Sequence, residues 1–240
     1  MRTRARGFSP YPPGAMTPPP GGWRAAVGPI RSEVTRGHRL VRLLARAIFL
    51  LVGGRVHAAR GATLPLGPCV LAVGPHRSAR DAVALLLSLP AAPRIWGIGL
   101  GPAISGPLLR RLLRRTGGIV PIYRGHDFAE VQEAATVIVT AGARVVIMSE
   151  GGIAGPPDTM AEFRPGAALL AHRLGLPLVG VALVHRARHW VTIVEPPSDL
   201  SAMTGTAPGS REELRAAIAI SQAMADRLDV LVFGPRDASA

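Results

Sequence analysis

Short apolar runs rich in branched side chains recur along the chain, at residues 69–73, 95–98, 119–123, 145–148, 177–183 and 190–194. Their length is that of buried strands. Apolar residues at helical spacing fill the stretches near 79–89, 104–116, 127–141, 163–174 and 211–229. The third of these shows its punctuation. Asp127 can cap it, Glu130 stands three residues on, Phe128, Val131, Ala135 and Ile138 form a stripe, and Gly142 stops it. Strand–helix alternation of this kind predicts an α/β fold, a central mostly parallel or mixed sheet flanked by helices. In such folds the working residues lie in loops at strand ends. The last helix, near 211–229, reads as packing, and no internal repeat is present.

Ahead of the first strand the pattern changes. Leu40, Leu43, Leu44, Ala47, Ile48 and Leu51 fall on one helical face, while Arg39, Arg42 and Arg46 share the other. The longest unbroken apolar run there, 47–54, falls far short of the roughly 20 residues of a membrane span. Two readings fit: a helix lying in a bilayer interface with its arginines toward the headgroups, or a surface helix packed on the body.

Charge sharpens the first reading. The chain of 240 residues has a net charge of +13, with 28 basic residues, all arginine. Residues 1–60 carry eleven of those arginines against Glu33 alone, whereas the remaining 180 residues are nearly balanced. A basic front on a near-neutral body favours a polyanion, and an anionic membrane surface adds about 1 kcal/mol per arginine. Nucleic acid is not expected as a partner, because aromatics make up only 4% and no recognition motif appears. A hydrophobic content of 48% with 18% charged residues excludes a disordered chain over most of its length. Residues 1–22, with six prolines and four glycines, form the expected exception, and no signal peptide is expected because proline and glycine occupy the place of an apolar core. The single cysteine, Cys69, excludes an internal disulfide and a cysteine zinc site, and fits a reducing compartment. His126, His185 and His189 lack metal-ligand spacing, so no metal is expected.

The predicted organisation is a disordered tail at 1–22, a basic amphipathic membrane-associating segment at 23–60, a folded α/β domain at 61–232 and a tail at 233–240. A second basic stretch lies inside the domain. Residues 95–109 are uncharged and end in Arg110, Arg111, Arg114 and Arg115, which suits either a lipid-facing segment or a solvated basic face. Its Gly97, Gly99 and Gly101 lack the spacing and the following acid of a dinucleotide loop.

The candidate chemistry begins directly after the first strand, in Gly74-Pro75-His76-Arg77-Ser78-Ala79-Arg80-Asp81, where a helix starts. A carboxylate beside His76 can fix its tautomer and stabilise the imidazolium, making it a general base. Equally, Ser78 and Asp81 have the spacing of a capping box, in which Asp81 only satisfies backbone donors. Gly118-Ile119-Val120-Pro121-Ile122-Tyr123-Arg124 then places an arginine at a strand end. Val145-Val146-Ile147-Met148-Ser149-Glu150-Gly151-Gly152 ends another strand in a carboxylate and two glycines, and Leu176-Pro177-Leu178-Val179 opens a third.

In this order the chain resembles the glycerolipid acyltransferase family, the 1-acylglycerol-3-phosphate acyltransferase-like or PlsC-type enzymes, over about residues 40–200. His76, Ser78 and Asp81 match its first motif, with Pro75 in place of Asn. Gly118, Ile119 and Arg124 match the second, and Leu176 to Val179 the fourth. In the third, Phe-Pro-Glu-Gly-Thr-Arg-Ser, only Glu150 and Gly151 match, and Ile153 stands where the family has arginine.

The resemblance implies transfer of a fatty acyl group from acyl-CoA or acyl-carrier protein to the hydroxyl of lysophosphatidic acid or a related lysophospholipid. His76 and Asp81 would be catalytic; Arg124, Glu150, Gly151 and Ser78 would bind substrate. The thioester is a co-substrate, and no cofactor is implied. The expected location is the cytoplasmic face of the cell membrane, as a peripheral or monotopic protein. The altered third motif leaves a catalytically inactive, lipid-binding relative as the alternative, and opens the choice of acceptor.

Overall fold

A computed structural model of the chain describes residues 22–100, 118–123, 128–151 and 159–234. Helix α1 (Gly22–Ala26) and helix α2 (Arg36–Leu51) come first, then two two-residue strands, β1 (Arg55–Val56) and β2 (Arg60–Gly61). Strand β3 (Val70–Gly74), α3 (Ala79–Ser88), β4 (Ile95–Leu100), β5 (Ile119–Ile122), α4 (Phe128–Thr140) and β6 (Arg144–Met148) follow. The chain continues with α5 (Gly166–Arg173), β7 (Leu178–Arg186), β8 (His189–Ser198) and α6 (Arg211–Phe233).

The strands form one mixed sheet in the order β1-β8-β7-β3-β6-β4-β5, with β2 also against β8. All of its pairings are parallel except β7 with β8. The six expected strands are all present. All five residues of β3 are buried, as a central parallel strand covered on both faces requires. The pleat sends Val70 and Ala72 to the larger core, under α4, α5 and α6, and Leu71 and Val73 to the other, under α3. Cys69, buried just before β3, belongs to the second core.

Several boundaries differ from the periodicity. Helix α5 begins at Gly166 instead of 163, because Pro165 disfavours helical backbone at Arg164 before it. The helix expected near 104–116 lies outside the described residues. Strands β1 and β2 are too short to show a pattern, yet both pair with β8. Trp23 is buried in the larger core. The sheet and core therefore take residues from both sides of the 60/61 boundary that charge suggested.

Helix α2 packs on the body through His38, Arg42, Ala45 and Phe49, leaving the leucine stripe outside. Leu43 is 66% and Leu51 85% exposed, and Leu40, Leu44 and Ile48 are also exposed. Arg42, grouped by spacing with the outer arginines, turns inward. Its guanidinium donates to Leu86 O, to Leu87 O at 3.2 Å and to Leu89 O at 3.0 Å, satisfying carbonyls that the end of α3 leaves unpaired.

Candidate active site

Strand β3 delivers the chain to the site. A Cβ on Gly74 would lie 2.6 Å from the Phe163 ring, so glycine is what lets this buried aromatic close against the strand end. Past Pro75, His76 and Arg77 form the turn and Ser78 is the N-cap of α3. His76 Nδ1 faces Asp81 Oδ2 at 3.5 Å, with His76 12% and Asp81 6% exposed at the side chain. This separation is slightly beyond a normal hydrogen bond, as catalytic pairs often are before substrate tightens them.

The Asp81 carboxylate does both jobs that the spacing allowed. Oδ2 accepts from the backbone N–H of Arg77 and of Ser78, each at 2.7 Å. Oδ1 accepts from Ser78 Oγ at 3.3 Å and from the Trp190 indole N–H at 3.4 Å. Burial pushes its carboxyl up, but the facing His76 imidazole and the backbone N–H groups of Ser78 and Arg77 outweigh this and hold it below the ordinary value.

Glu150, at the end of β6, points inward, its side chain 1% exposed. Oε2 accepts from His76 N–H at 2.8 Å and from Arg77 Nη1 at 2.9 Å, while Oε1 accepts from Ala161 N–H at 2.7 Å. Arg77 also donates to Thr159 O. One carboxylate thus ties the His76 turn to β6 and to the segment leading into α5.

Gly151 follows with φ of +79°, and its missing Cβ is where Arg164 lies: an added Cβ would sit 2.4 Å from Arg164 Nε. The Arg164 backbone N–H donates to Ser149 O at 2.8 Å, fixing the start of that arginine beside the turn. The Arg164 residue is exposed, whereas Arg77 is engaged by Glu150. The structure therefore brings together His76, Ser78, Asp81, Glu150 and Gly151 from two strand ends. Arg124, Gly152 and Ile153 lie outside the described residues.

Sequence reasoning did not find Trp190, which reaches Asp81 across 109 residues. Its only local signal is an aromatic at the start of a strand. It also did not foresee that Glu150 holds the backbone of the His76 turn, a contact 74 residues apart. Among the described residues no cluster of His, Cys, Asp and Glu could hold a metal ion.

A buried histidine–carboxylate pair at a helix entrance, on a mixed α/β sheet, can serve general-base chemistry. The acyltransferase family model matches residues 55–184, and the chain belongs to that family. Its fold is similar to that of the 1-acyl-sn-glycerophosphate acyltransferase PlsC of Thermotoga maritima, with a TM-score of 0.56, 16% identity, and coverage of 79% of this chain and 78% of that one. No curated protein matches the chain.

Proposed function

We propose that this acyltransferase moves a fatty acyl group from acyl-CoA or acyl-carrier protein to the hydroxyl of lysophosphatidic acid or a related lysophospholipid. The observation that carries the reading is the His76–Asp81 pair at the mouth of α3, in a chain of this family. His76 carries its proton on Nδ1, toward Asp81, and offers Nε2 to the acceptor hydroxyl. As the hydroxyl oxygen attacks the thioester carbonyl, Nε2 takes its proton and Asp81 stabilises the imidazolium. Collapse of the tetrahedral intermediate breaks the C–S bond, and the imidazolium returns the proton to the leaving thiolate. Help of this kind is worth about 10²–10⁴-fold in rate.

Arg124 binds the acceptor's phosphate, as the second-motif match implies. Arg164, exposed over Gly151, supplies the guanidinium that the third motif lacks at Ile153. Glu150 contributes by holding the turn, and Ser78 by capping α3. The enzyme works at the cytoplasmic face of an anionic membrane, where its soluble donor and bilayer-resident acceptor meet. The exposed leucine stripe of α2 supports this, since each such side chain gains roughly 1–2 kcal/mol on leaving water. No helix among the described residues is long and apolar enough to cross a membrane.

The acceptor is tested by supplying a labelled long-chain acyl-CoA and, separately, acyl-carrier protein, with a panel of lysolipids. Highest kcat/KM with a phosphate-bearing lysolipid is expected. Preference for an uncharged lipid alcohol would reject the phosphate-clamp reading.

A further inference from the structure

Asp81 sits between His76 and an aromatic cluster that the reaction chemistry leaves unused. The Trp190 indole, 5% exposed, donates its N–H to Asp81 Oδ1 at 3.4 Å, on the carboxylate oxygen opposite the one that faces His76. The indole is itself held on two sides. Phe49, from the end of α2, meets it edge-on with centroids 5.1 Å apart, and His185 on β7 stacks on it at 4.0 Å. A Cβ on Gly54, just past α2, would lie 3.0 Å from the indole and 3.2 Å from Phe49, so the chain there closes tightly over both rings.

We propose that Trp190 is a positioning residue for the His76–Asp81 pair, fixing the carboxylate's rotation and linking it to helix α2. The inference rests on the reading of His76 as general base. The physical reason is rotational. Ser78 N–H and Arg77 N–H hold Oδ2, but a single anchored oxygen leaves the carboxylate free to turn about its own bond. The donors on Oδ1, Trp190 Nε1 and Ser78 Oγ, remove that freedom, and the indole is the more rigid of the two. Because the indole leans on Phe49, a displacement of α2 is transmitted to the carboxylate without any new contact at His76.

The ionisable groups around this cluster are His185 on β7, which stacks on the indole, and Arg77 and Glu150 on the His76 side. His57 and His189 lie at the adjoining edge, paired at 2.9 Å between ring nitrogens. Trp190→Phe keeps one aromatic ring for Phe49 and His185 to pack on and removes the indole N–H together with the second ring. A carboxylate with one donor fewer keeps more of its charge for the positive charge that develops on the imidazole in the reaction.

The test is steady-state acyl transfer by full-length Trp190→Phe across pH, beside wild type and His76→Ala. Expected are a kcat about tenfold lower, KM values for both substrates within about twofold of wild type, and an acid limb of kcat/KM moved to higher pH. Unchanged kcat and an unmoved limb, with His76→Ala inactive, overturn the positioning role alone. Retained activity in His76→Ala overturns the underlying reading instead. Should Trp190→Phe fold poorly, the wild-type indole proton resonance decides: it should titrate with the same midpoint as the acid limb and shift in Asp81→Asn. A resonance flat in pH overturns the proposal.

Discussion

The single carboxylate of Asp81 takes backbone donors as the third residue of α3 and faces His76 with the same oxygen. The capping box and the general-base pair, two alternatives in the sequence, coexist because the N-terminus of a helix aims its free N–H groups at the place where the histidine turn must pass. Both residues were legible because they are five apart. Glu150 was legible as a motif residue but not as the group that accepts from His76 N–H, since partners so distant in sequence meet only when two strand ends adjoin. Arg164 gives the prediction at this scale. Arg164→Ala should raise the KM for a phosphate-bearing acceptor about tenfold, the worth of one charge-assisted hydrogen bond, with kcat nearly unchanged. Steady-state kinetics at fixed donor measures it, and an unchanged KM would remove Arg164 from the acceptor site.

Helix α2 shows how an element can be legible in one respect and hidden in another. Its amphipathic stripe is plain from spacing, but the face that packs on the body is the one carrying His38, Arg42 and Phe49. Spacing alone leaves open whether the leucines face a bilayer or the body. Phe49 packs in an apolar cluster with Ala84, Leu87 and Trp190, and beside it Arg42 satisfies α3's unpaired carbonyls. The consequence is a pH dependence. His38 is buried on the body-facing side of α2, and burial, with the charges of Arg94 and Arg42, lowers its pKa to about 4. The unfolded chain protonates this histidine near its ordinary value of 6.5, before the folded one does. Stability is therefore full above that value and falls as pH drops from 6.5 toward 4. The Tm should decline over this window, and His38→Gln should flatten the decline. Equal pH slopes in the two proteins would contradict the assignment.

Across the whole molecule, the α/β architecture was readable because six strands each carry a sufficient apolar run. The edge formed by β1 and β2 was not, because two-residue strands such as Arg55–Val56 owe their place to hydrogen bonds from β8. Their inclusion ties the basic front to the catalytic body. α2 also spans from the end of α3, through Arg42, to Trp190 beside Asp81, through Phe49. In the proposed membrane orientation the bilayer would lie against an element that reaches Asp81 through Phe49 and Trp190. Truncating residues 1–52 would remove Trp23 and Phe49 from the cores, so substitutions on the exposed stripe are the cleaner probe. Leu43→Asp with Ile48→Asp should cut binding to anionic vesicles at least tenfold while leaving the melting temperature within a few degrees. Sedimentation with phosphatidylglycerol-containing liposomes reads this directly, and undiminished binding would move the anchor elsewhere.

The central claim is that His76 is the base of an acyl-transfer reaction. It is tested most directly by transfer from labelled long-chain acyl-CoA or acyl-carrier protein to a lysophospholipid, comparing wild type with His76→Ala. Transfer by wild type, reduced at least 10²-fold in a variant with unchanged circular dichroism and vesicle binding, is the predicted result. Equal transfer by the two proteins, or none by folded, vesicle-bound wild type with either donor, would contradict it.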